Sequence, residues 1–310
     1  MKEEIFVIPH QNPDTDSICA AISYAYFLRK KGKRAKPVRL GELNKETTFV
    51  LNFFKIKDIP LLESGENKLL ILVDHNEKEQ SIPHLERAKI LEVIDHHKIS
   101  FSYSEPISFL TQPVGATSTI IAKKFLENKI KLDKKIAGLL LSGILSDTVV
   151  FKSPTTTKED IYIAKKLSNI CKIKDIKKFG MEIKKQKATL KGLSISQIVQ
   201  NDAKEYDING KKFLVSQVEI CDLKEIEPIK KELLTEMEKI VSEKNLDFFL
   251  FMATDIIKLG SQILIKGKEI EEIEKIFNKK IEENSFYLPG VLSRKKEIIP
   301  PLMEYYSKFN

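Results

Sequence analysis

Four short, continuous apolar runs separated by helical patterns constrain the fold of the first half of the chain most strongly. The runs, rich in Val, Ile and Leu, are IFVIP (5–9), KPVRL (36–40), LLILVD (69–74) and ILEVID (90–95). Uninterrupted apolar strands are typical of sheets that are buried on both faces. Helical patterns at 16–32 and 45–56 lie between the first three runs. This βαβα order predicts an α/β fold with a doubly wound, mostly parallel sheet and helices on both of its faces.

A second, smaller α/β domain is predicted in the last third of the chain. Three strand patterns recur there, at 211–220, 246–257 and 261–267, with helical stretches around them. Gly192, in the segment ATLKGLS, lies before these strands and is a plausible hinge, because few residues are needed to absorb a domain motion. We therefore expect a first domain at 1–187, a hinge linker at 188–193 and a second domain at 194–310.

Charge, cysteine content and hydropathy exclude several classes of protein. The formal net charge of +8 would suit an anionic partner, but the chain has no block of five or more basic residues. A solvated, lysine-rich surface is therefore favoured over nucleic-acid binding. The 3 cysteines are far apart and suggest no disulfide framework, which favours a reduced, cytoplasmic compartment. The apolar run at 136–145 is too short to cross a bilayer, so we expect no membrane partner.

Histidines and acids gather where the predicted strands end. The residues concerned are His10, Asp14 and Asp16 after the first strand, Asp74 and His75 after the third, and Asp95, His96 and His97 after the fourth. A further acid, Asp147, follows a very apolar helix, where the helix dipole disfavours negative charge. Because the carboxyl ends of parallel strands share one edge of a sheet, we expect these groups to converge.

Carboxylates and imidazoles without a thiolate favour manganese, cobalt, iron or zinc over a soft metal. At least six strong candidate ligands are enough for two ions that share a carboxylate, the usual arrangement for in-line displacement at phosphorus. Each signal alone has a structural explanation. Asp16 could simply cap the helix that follows it, and Asp147 could be only a helix end. His84, the fifth histidine, is interpreted as a surface residue without a role.

Several segments together resemble one known family. HQNPDTDS (10–17), VDHN (73–76), DHHK (95–98) and SDTVVFKSPTTT (146–157) are similar to the motifs of the DHH phosphoesterase superfamily. QPVGAT (112–117), NDAKEY (201–206) and SRKK (293–296) resemble those of its manganese-dependent, family II inorganic pyrophosphatases. The resemblance runs from residue 5 almost to the end. It implies a DHH metal-binding catalytic domain followed by a DHHA2 substrate-binding domain.

The resemblance implies a role for each candidate side chain. The metal ligands would be His10 and Asp14 for a first ion, Asp16, His96 and Asp147 for a second, and Asp74 as a bridge between them. His97 would face the substrate and either protonate the leaving phosphate or stabilise its charge. The groups that would bind pyrophosphate from the second domain are Lys204, Arg294 and Lys295. His75 and Asp95 would orient ligands through hydrogen bonds.

The activity that the resemblance implies is hydrolysis of inorganic diphosphate to two phosphates by a hydroxide that two metal ions generate. Two Mn²⁺ ions per subunit are expected, Co²⁺ is a possible substitute, and Mg²⁺ would arrive with the substrate. The resemblance also implies a homodimer formed through an edge strand of the N-terminal domain.

Two other activities within the same superfamily stay open. Exopolyphosphatases resemble this chain but usually lack a histidine at the position of His10. Phosphodiesterases and exonucleases of the DHH type typically carry a GGGH segment late in the chain, which this sequence does not have. The chain also lacks a basic tract interleaved with aromatic residues for stacking bases. Pyrophosphate hydrolysis is therefore favoured.

Overall fold

The chain divides into two units, which are described separately. The computed structural model describes residues 3–57, 59–187 and 190–308, with the backbone alone for Lys187. Unit 1 is Met1–Gln186 and unit 2 is Lys187–Asn310. Of the sequence-predicted linker at 188–193, Ala188 and Thr189 lie outside the described residues. The hinge and the domain limits at 187 and 194 therefore stay predictions.

Unit 1 alternates strands and helices in its first half and is helical in its second half. In chain order its elements are β1 (Ile5–Ile8), α1 (Thr15–Lys30), β2 (Ala35–Pro37), α2 (Lys45–Phe53), β3 (Leu69–Val73), β4 (Lys89–Asp95), β5 (Ser108–Thr111), α3 (Thr117–Glu127), α4 (Lys134–Asp147), α5 (Lys158–Cys171) and α6 (Ile176–Lys187). Four of the strands are those that the apolar runs predict. β5 was not predicted, because SFLT is short and is only partly buried at the edge of the sheet.

The unit 1 sheet has the strand order β2-β1-β3-β4-β5, and all of its described pairs are parallel. This order is that of a doubly wound sheet. Successive residues of β3 point to opposite faces, so that Ile71 and Val73 join one core and Leu70 and Leu72 join another. Both faces of the central strands are therefore buried, which explains why their sequences are continuously apolar.

The two faces are covered by different kinds of structure. Helices α1, α3 and α4 pack over one face, where Phe27 meets Phe125 with ring centroids 5.1 Å apart. On the other face the cover includes Ile82 and Leu85, in and beside short 3₁₀ turns. The expectation of helices on both faces is confirmed for the first face only, since 3₁₀ turns and loops cover the second among the described residues.

Unit 2 is built around a mixed sheet. Its elements are α7 (Ile195–Val199), β6 (Lys204–Ile208), β7 (Lys211–Ile220), α8 (Lys230–Glu243), β8 (Phe248–Asp255), β9 (Gly260–Gly267), α9 (Ile270–Phe277), β10 (Ser285–Pro289) and α10 (Ile299–Tyr306). The order is β10-β9-β8-β7-β6, with β7 and β8 parallel and the other pairs antiparallel. β8 is buried along its whole length. Among the described residues, no helix is both long enough and apolar enough to cross a membrane.

Candidate metal centre

Three neighbouring parallel strands of unit 1 carry most of the predicted site at their carboxyl ends. β1 is followed by His10, β3 by Asp74, and β4 ends at Asp95 with His96 directly after it. The chain passes from β1 to β2 on one side and from β3 to β4 on the other. β1 and β3 therefore form the switch point of the sheet, which is where open parallel sheets bind ligands.

Asp14 caps helix α1. Its Oδ1 accepts the backbone N–H of Ser17 at 2.9 Å, and the Ser17 hydroxyl accepts the Asp14 N–H at 3.0 Å, which makes a capping box. The same Oδ1 lies 3.6 Å from His10 Nε2. Burial alone would raise the pKa of Asp14, but the interactions with His10 and Ser17 lower it to about 2. Asp14 therefore presents a full negative charge to His10 at neutral pH.

Asp16 is buried in α1 and caps a different helix. The N-cap position of α3 is Ala116, whose side chain cannot accept a hydrogen bond. Asp16 Oδ2 instead accepts the N–H of Thr117 at 2.6 Å, and Oδ1 accepts the N–H of Ser118 at 3.1 Å. The positive end of α3 thereby holds this carboxylate. The simple interpretation of Asp16 as a cap of its own helix is wrong, since Asp14 caps α1 and Asp16 caps α3.

Asp74 lies at the centre of the cluster and is 1% exposed. Its Oδ1 accepts the Thr117 hydroxyl at 2.8 Å and lies 3.4 Å from His96 Nε2, while its Oδ2 lies 3.9 Å from His10 Nε2. The described residues contain three groups whose ligand atoms lie within 4.8 Å of one another: His10 with Asp14 and Asp74; Asp16 with Asp74, His96 and Asp147; and Asp74 with His96 and His97. Asp74 belongs to all three groups, as a bridging ligand would.

Two imidazoles turn the same nitrogen toward the acids. His10 Nδ1–H donates to the Gln11 carbonyl at 2.7 Å, and His96 Nδ1–H donates to the Val114 carbonyl at 2.9 Å. In a neutral ring the Nε2 lone pair then faces carboxylate oxygens, as in histidines that bind a metal. Among the described residues, His96 Nε2 and Asp74 Oδ2 are buried with no hydrogen-bond partner. A cation between them would satisfy both atoms, so the donor set fits a metal ion.

The pKa values of the clustered residues also favour the binding of a cation. Burial first, and then the neighbouring carboxylate of Asp147, raises the pKa of Asp16 to about 7. Burial and the other acids likewise raise the pKa values of Asp74 and Asp147. Burial would lower the pKa of His96, but Asp147 and Asp16 raise it to about 9. The cluster therefore favours positive charge, which can be a proton or a metal ion.

A chain of hydrogen bonds orients His97. Its Nδ1–H donates to Asp95 Oδ1 at 2.8 Å, and the Asn76 amide donates to Asp95 Oδ2 at 2.6 Å. Burial would raise the pKa of Asp95, but these bonds lower it to about 2. The His97 side chain is 48% exposed, so one face of the ring is open to a ligand. Asn76 is a positioning group that sequence reasoning missed, although it lies in the segment VDHN.

The two remaining histidines, His75 and His84, do not belong to the groups around Asp74. His75 is buried, with its ring nitrogens 3.0 Å from the Val73 carbonyl and 3.0 Å from the Ser81 hydroxyl. Burial lowers its pKa to about 4, so this ring is neutral. These contacts hold the turn after β3 and do not orient a carboxylate of the cluster directly. The His84 side chain is 52% exposed, in agreement with its interpretation as a surface residue.

The three predicted phosphate-binding groups lie in unit 2. Lys204 opens β6 opposite Val215 of β7, and Arg294 Nη1 donates to the Val215 carbonyl at 3.3 Å. Unit 2 therefore brings these two residues to the middle of β7. The Arg294 side chain is 6% exposed and pairs with Asp202 at 3.2 Å. Lys295 is exposed and follows Arg294 in a π-helical turn.

A cavity of about 300 Å³ opens onto the unit 1 cluster. Its lining includes four predicted site residues, namely His10, Asp14, Asp74 and His97. Lys98 also lines it, and its backbone carbonyl accepts the Asn76 amide at 2.9 Å. The cavity is small and its lining residues carry polar or charged side chains, which suits a compact anion with a metal ion better than a nucleobase or an apolar ligand.

Comparison with known protein families finds a matching domain for each unit. The DHH family, N-terminal domain, matches residues 4–144, and the DHHA2 domain matches residues 181–305. A manganese-dependent inorganic pyrophosphatase of Bacillus subtilis (strain 168) is 43% identical over 305 residues, which cover 97% of this chain and 98% of that protein. One of Methanocaldococcus jannaschii is 45% identical over 310 residues, covering 97% and 99%.

Solved structures agree with these relatives. The crystal structure of a Methanococcus jannaschii protein assigned to the family II inorganic pyrophosphatases superposes with a TM-score of 0.65 at 44% identity, covering 97% of this chain and 99% of that one. An exopolyphosphatase-related protein from Bacteroides fragilis has a TM-score of 0.50 at 18% identity, covering 99% and 92%. The second likeness concerns the fold alone.

Proposed function

The chain belongs to the family of manganese-dependent inorganic pyrophosphatases, and on that premise we propose that it hydrolyses inorganic diphosphate to two phosphates at the carboxyl edge of the unit 1 sheet. The observation that carries the proposal is a cluster of acids and imidazoles in which two buried atoms, Asp74 Oδ2 and His96 Nε2, have no hydrogen-bond partner among the described residues. Such a cluster is expensive to bury unless a cation completes it.

The ligands divide into two sets that share Asp74. His10 and Asp14 would hold one manganese ion with Asp74, and the remaining ligands, Asp16, His96 and Asp147, would hold a second. Manganese bound there would supply positive charge against the substrate and would lower the pKa of water, the chemistry that hydrolysis near neutral pH needs. Cobalt suits the same nitrogen and oxygen donors, and magnesium would accompany the substrate because it prefers phosphate oxygens.

His97 is proposed as the proton donor to the leaving phosphate. Asp95 holds its Nδ1–H, which leaves Nε2 to carry and transfer a second proton. Asn76 keeps Asp95 in place through a 2.6 Å hydrogen bond.

The unit 2 cations are proposed to bind the phosphate ends. Arg294 can contact two phosphate oxygens through its planar guanidinium, and Lys204 lies near the same part of β7. Lys295 would add a flexible point charge from the next position. These assignments follow from the family resemblance and from the clustering of the cations within unit 2.

Phosphate release measured with three substrates tests the proposal. Protein stripped of metal and reloaded with Mn²⁺ should release phosphate from pyrophosphate much faster than from tripolyphosphate or a dinucleotide. Mn²⁺ should restore activity more fully than Mg²⁺ alone, because imidazole is a better ligand for transition ions. Preferred cleavage of tripolyphosphate would favour an exopolyphosphatase, and cleavage of the dinucleotide would favour a phosphodiesterase.

A cytoplasmic homodimer is also proposed. β5 forms one edge of the unit 1 sheet, and edge strands offer unpaired backbone groups to a second copy. Sedimentation analysis of the whole chain would give the mass of the assembly. A monomer at micromolar concentration would contradict the proposal.

A further inference from the structure

Asp147 is held in an unusual way. It is the last residue of α4, and its carboxylate lies 3.5 Å from His96 Nε2, which is longer than an ordinary hydrogen bond. A negative charge at a helix carboxyl end is also disfavoured by the dipole. The position of this carboxylate therefore depends on what holds the last turn of α4.

A buried ionic network lies directly behind that turn. The hydroxyl of Ser146, the residue before Asp147, donates to Glu46 Oε1 on α2. The ammonium of Lys184, on α6, lies 3.2 Å from Glu46 Oε2 and 3.4 Å from Ser146 Oγ. Glu46 is 2% exposed and Lys184 is 9% exposed. Breaking a buried pair of this kind is costly, because removing either partner would leave an uncompensated charge.

Helix α6, which carries Lys184, also packs against the chain that follows Asp147. Three successive residues, Val149, Val150 and Phe151, have positive φ values of 48°, 55° and 66°. This conformation is rare for β-branched residues and persists only where the surroundings enforce it. Val150 is buried against Gly180 of α6, where an added Cβ would lie 2.9 Å from Val150 Cγ2. Gly180 is four residues before Lys184, so both lie on one face of α6.

We propose that Lys184, tied to Glu46 and Ser146, is a positioning residue for Asp147 and thereby sets the affinity of the second metal position. This inference rests on the proposed two-metal centre. α6 contacts the chain on both sides of Asp147, through Lys184 before it and Gly180 after it. The first metal position, which uses His10 and Asp14, has no ligand on α4.

Manganese titration of Lys184→Met by calorimetry, on protein stripped of metal, tests the inference without recourse to activity. Groups that orient metal ligands are typically worth about 10–100-fold in affinity. We expect the second ion to bind about 10–100-fold more weakly, while the first binds within about twofold of the wild type. A residue that only stabilises the fold would lower the melting temperature and leave both affinities unchanged in the folded protein.

Two further variants keep the result decisive. If Lys184→Met does not fold, Glu46→Gln with Lys184→Met removes both charges together and leaves no buried charge without a partner. It should fold and show the same selective loss. Lys124→Met is the matched control, because Lys124 pairs with Glu92 at 3.0 Å elsewhere in unit 1, and Glu92 keeps its hydrogen bond from Tyr24. Its two affinities should match those of the wild type.

Three outcomes would overturn the inference. They are wild-type affinities at both positions in the folded variants, equal weakening of both positions, and the same selective loss in Lys124→Met. If the wild type itself does not bind two manganese ions, the proposed two-metal centre fails, and this inference fails with it.

Discussion

The two units bury charge in opposite ways. Unit 1 gathers four acids, Asp14, Asp16, Asp74 and Asp147, around one edge of a parallel sheet, and two of the polar atoms there, one on Asp74 and one on His96, are buried without a hydrogen-bond partner among the described residues. In unit 2 the buried guanidinium of Arg294 pairs with the half-exposed Asp202, although its Nε has no hydrogen-bond partner among the described residues. The first arrangement needs an added cation to offset its negative charge, whereas in the second the cation already has an acid partner. Metal binding should therefore be a property of unit 1 and largely insensitive to changes in unit 2.

The two sites are also assembled differently. In unit 1 the fold brings together residues from segments that are more than a hundred positions apart, such as Asp16 and Thr117. In unit 2 the pairing of Lys204 with Val215 comes from a hairpin of adjacent strands, whereas Arg294 comes from a segment 79 residues away from Val215. Long-range assembly gives unit 1 many fixed supports for each ligand, and each support is a place where a single substitution can disturb the centre.

Removal of the bridging carboxylate should have the largest effect. Asp74→Asn removes negative charge from both metal positions, so the turnover number should fall by at least about 10³-fold, because several kcal/mol of charge stabilisation are lost. His84→Ala, which changes an exposed histidine, should stay within about twofold. Steady-state kinetics on both variants checks this. Comparable losses would show that the sorting of acids and histidines into site and surface is wrong.

The next effect concerns proton donation. His97→Gln should keep both metal ions and lower the turnover number by about 10²-fold or more, the usual contribution of general acid catalysis. Metal content and turnover, measured on the same preparation, test it. Loss of one metal equivalent would instead make His97 a metal ligand.

Arg294→Ala tests the contrast between the units directly. A hydrogen bond to a charged group is typically worth about 1.5–3 kcal/mol. The variant should therefore lose about 10–100-fold in kcat/KM, through both a higher KM and a lower kcat. Its manganese affinities should equal those of the wild type, since Arg294 lies in unit 2. A weakened metal position would break the separation of roles between the units.

Gly143→Ala should lower the free energy of unfolding, because Gly143 packs against Asp16 and Ser118 beside the metal centre. An added Cβ at this α4 position would lie 2.3 Å from Asp16 Oδ1 and 2.3 Å from Ser118 Oγ. Overpacking of this kind costs about 1–3 kcal/mol. Thermal unfolding of the metal-free chain should show a lower midpoint. Gly210→Ala, at a turn in unit 2 with φ 81°, is a comparison in which strain arises from the backbone alone.

The pH dependence of the metal-free chain should have the opposite sign to that of the loaded chain. Asp16, with its pKa raised to about 7, stabilises the fold below about pH 4 and loses that contribution as the pH rises through 7. His96, with its pKa raised to about 9, loses its contribution as the pH rises from about 6.5 through 9. Asp14 and Asp95, with pKa values lowered to about 2, contribute stability above about pH 4 and lose it as the pH falls toward 2.

The metal-free chain should therefore unfold at a higher temperature at pH 5 than at pH 8. With Mn²⁺ the difference should shrink or reverse, because metal binding needs deprotonated ligands and strengthens as the pH rises. Thermal melts at the two pH values, with and without Mn²⁺, give the four unfolding temperatures to be compared. Equal unfolding midpoints at pH 5 and pH 8 in the metal-free chain would mean that repulsion among the acids of the cluster does not reduce its stability.

Local pattern was sufficient for the central strands but not for the edges. β3 is continuously apolar and almost wholly buried, and the second half of β4 is buried as well, so apolar runs identify both strands. β5, β6 and β10 were missed because they are partly exposed and none of them forms a continuous apolar run. α10 was missed as well, since Pro300 and Pro301 in its first turn resemble a break in the chain.

The sequence by itself determined which residue types meet at the sheet edge, because parallel strands must end there together and their ends carry His10, Asp74 and His96. Only the tertiary structure decided what holds them. Asp16 caps a helix that begins 101 residues later, and Lys184 lies 138 residues from Glu46. Such contacts have no local signature, since a helix end or a buried ammonium can be satisfied by any acid that the fold brings near.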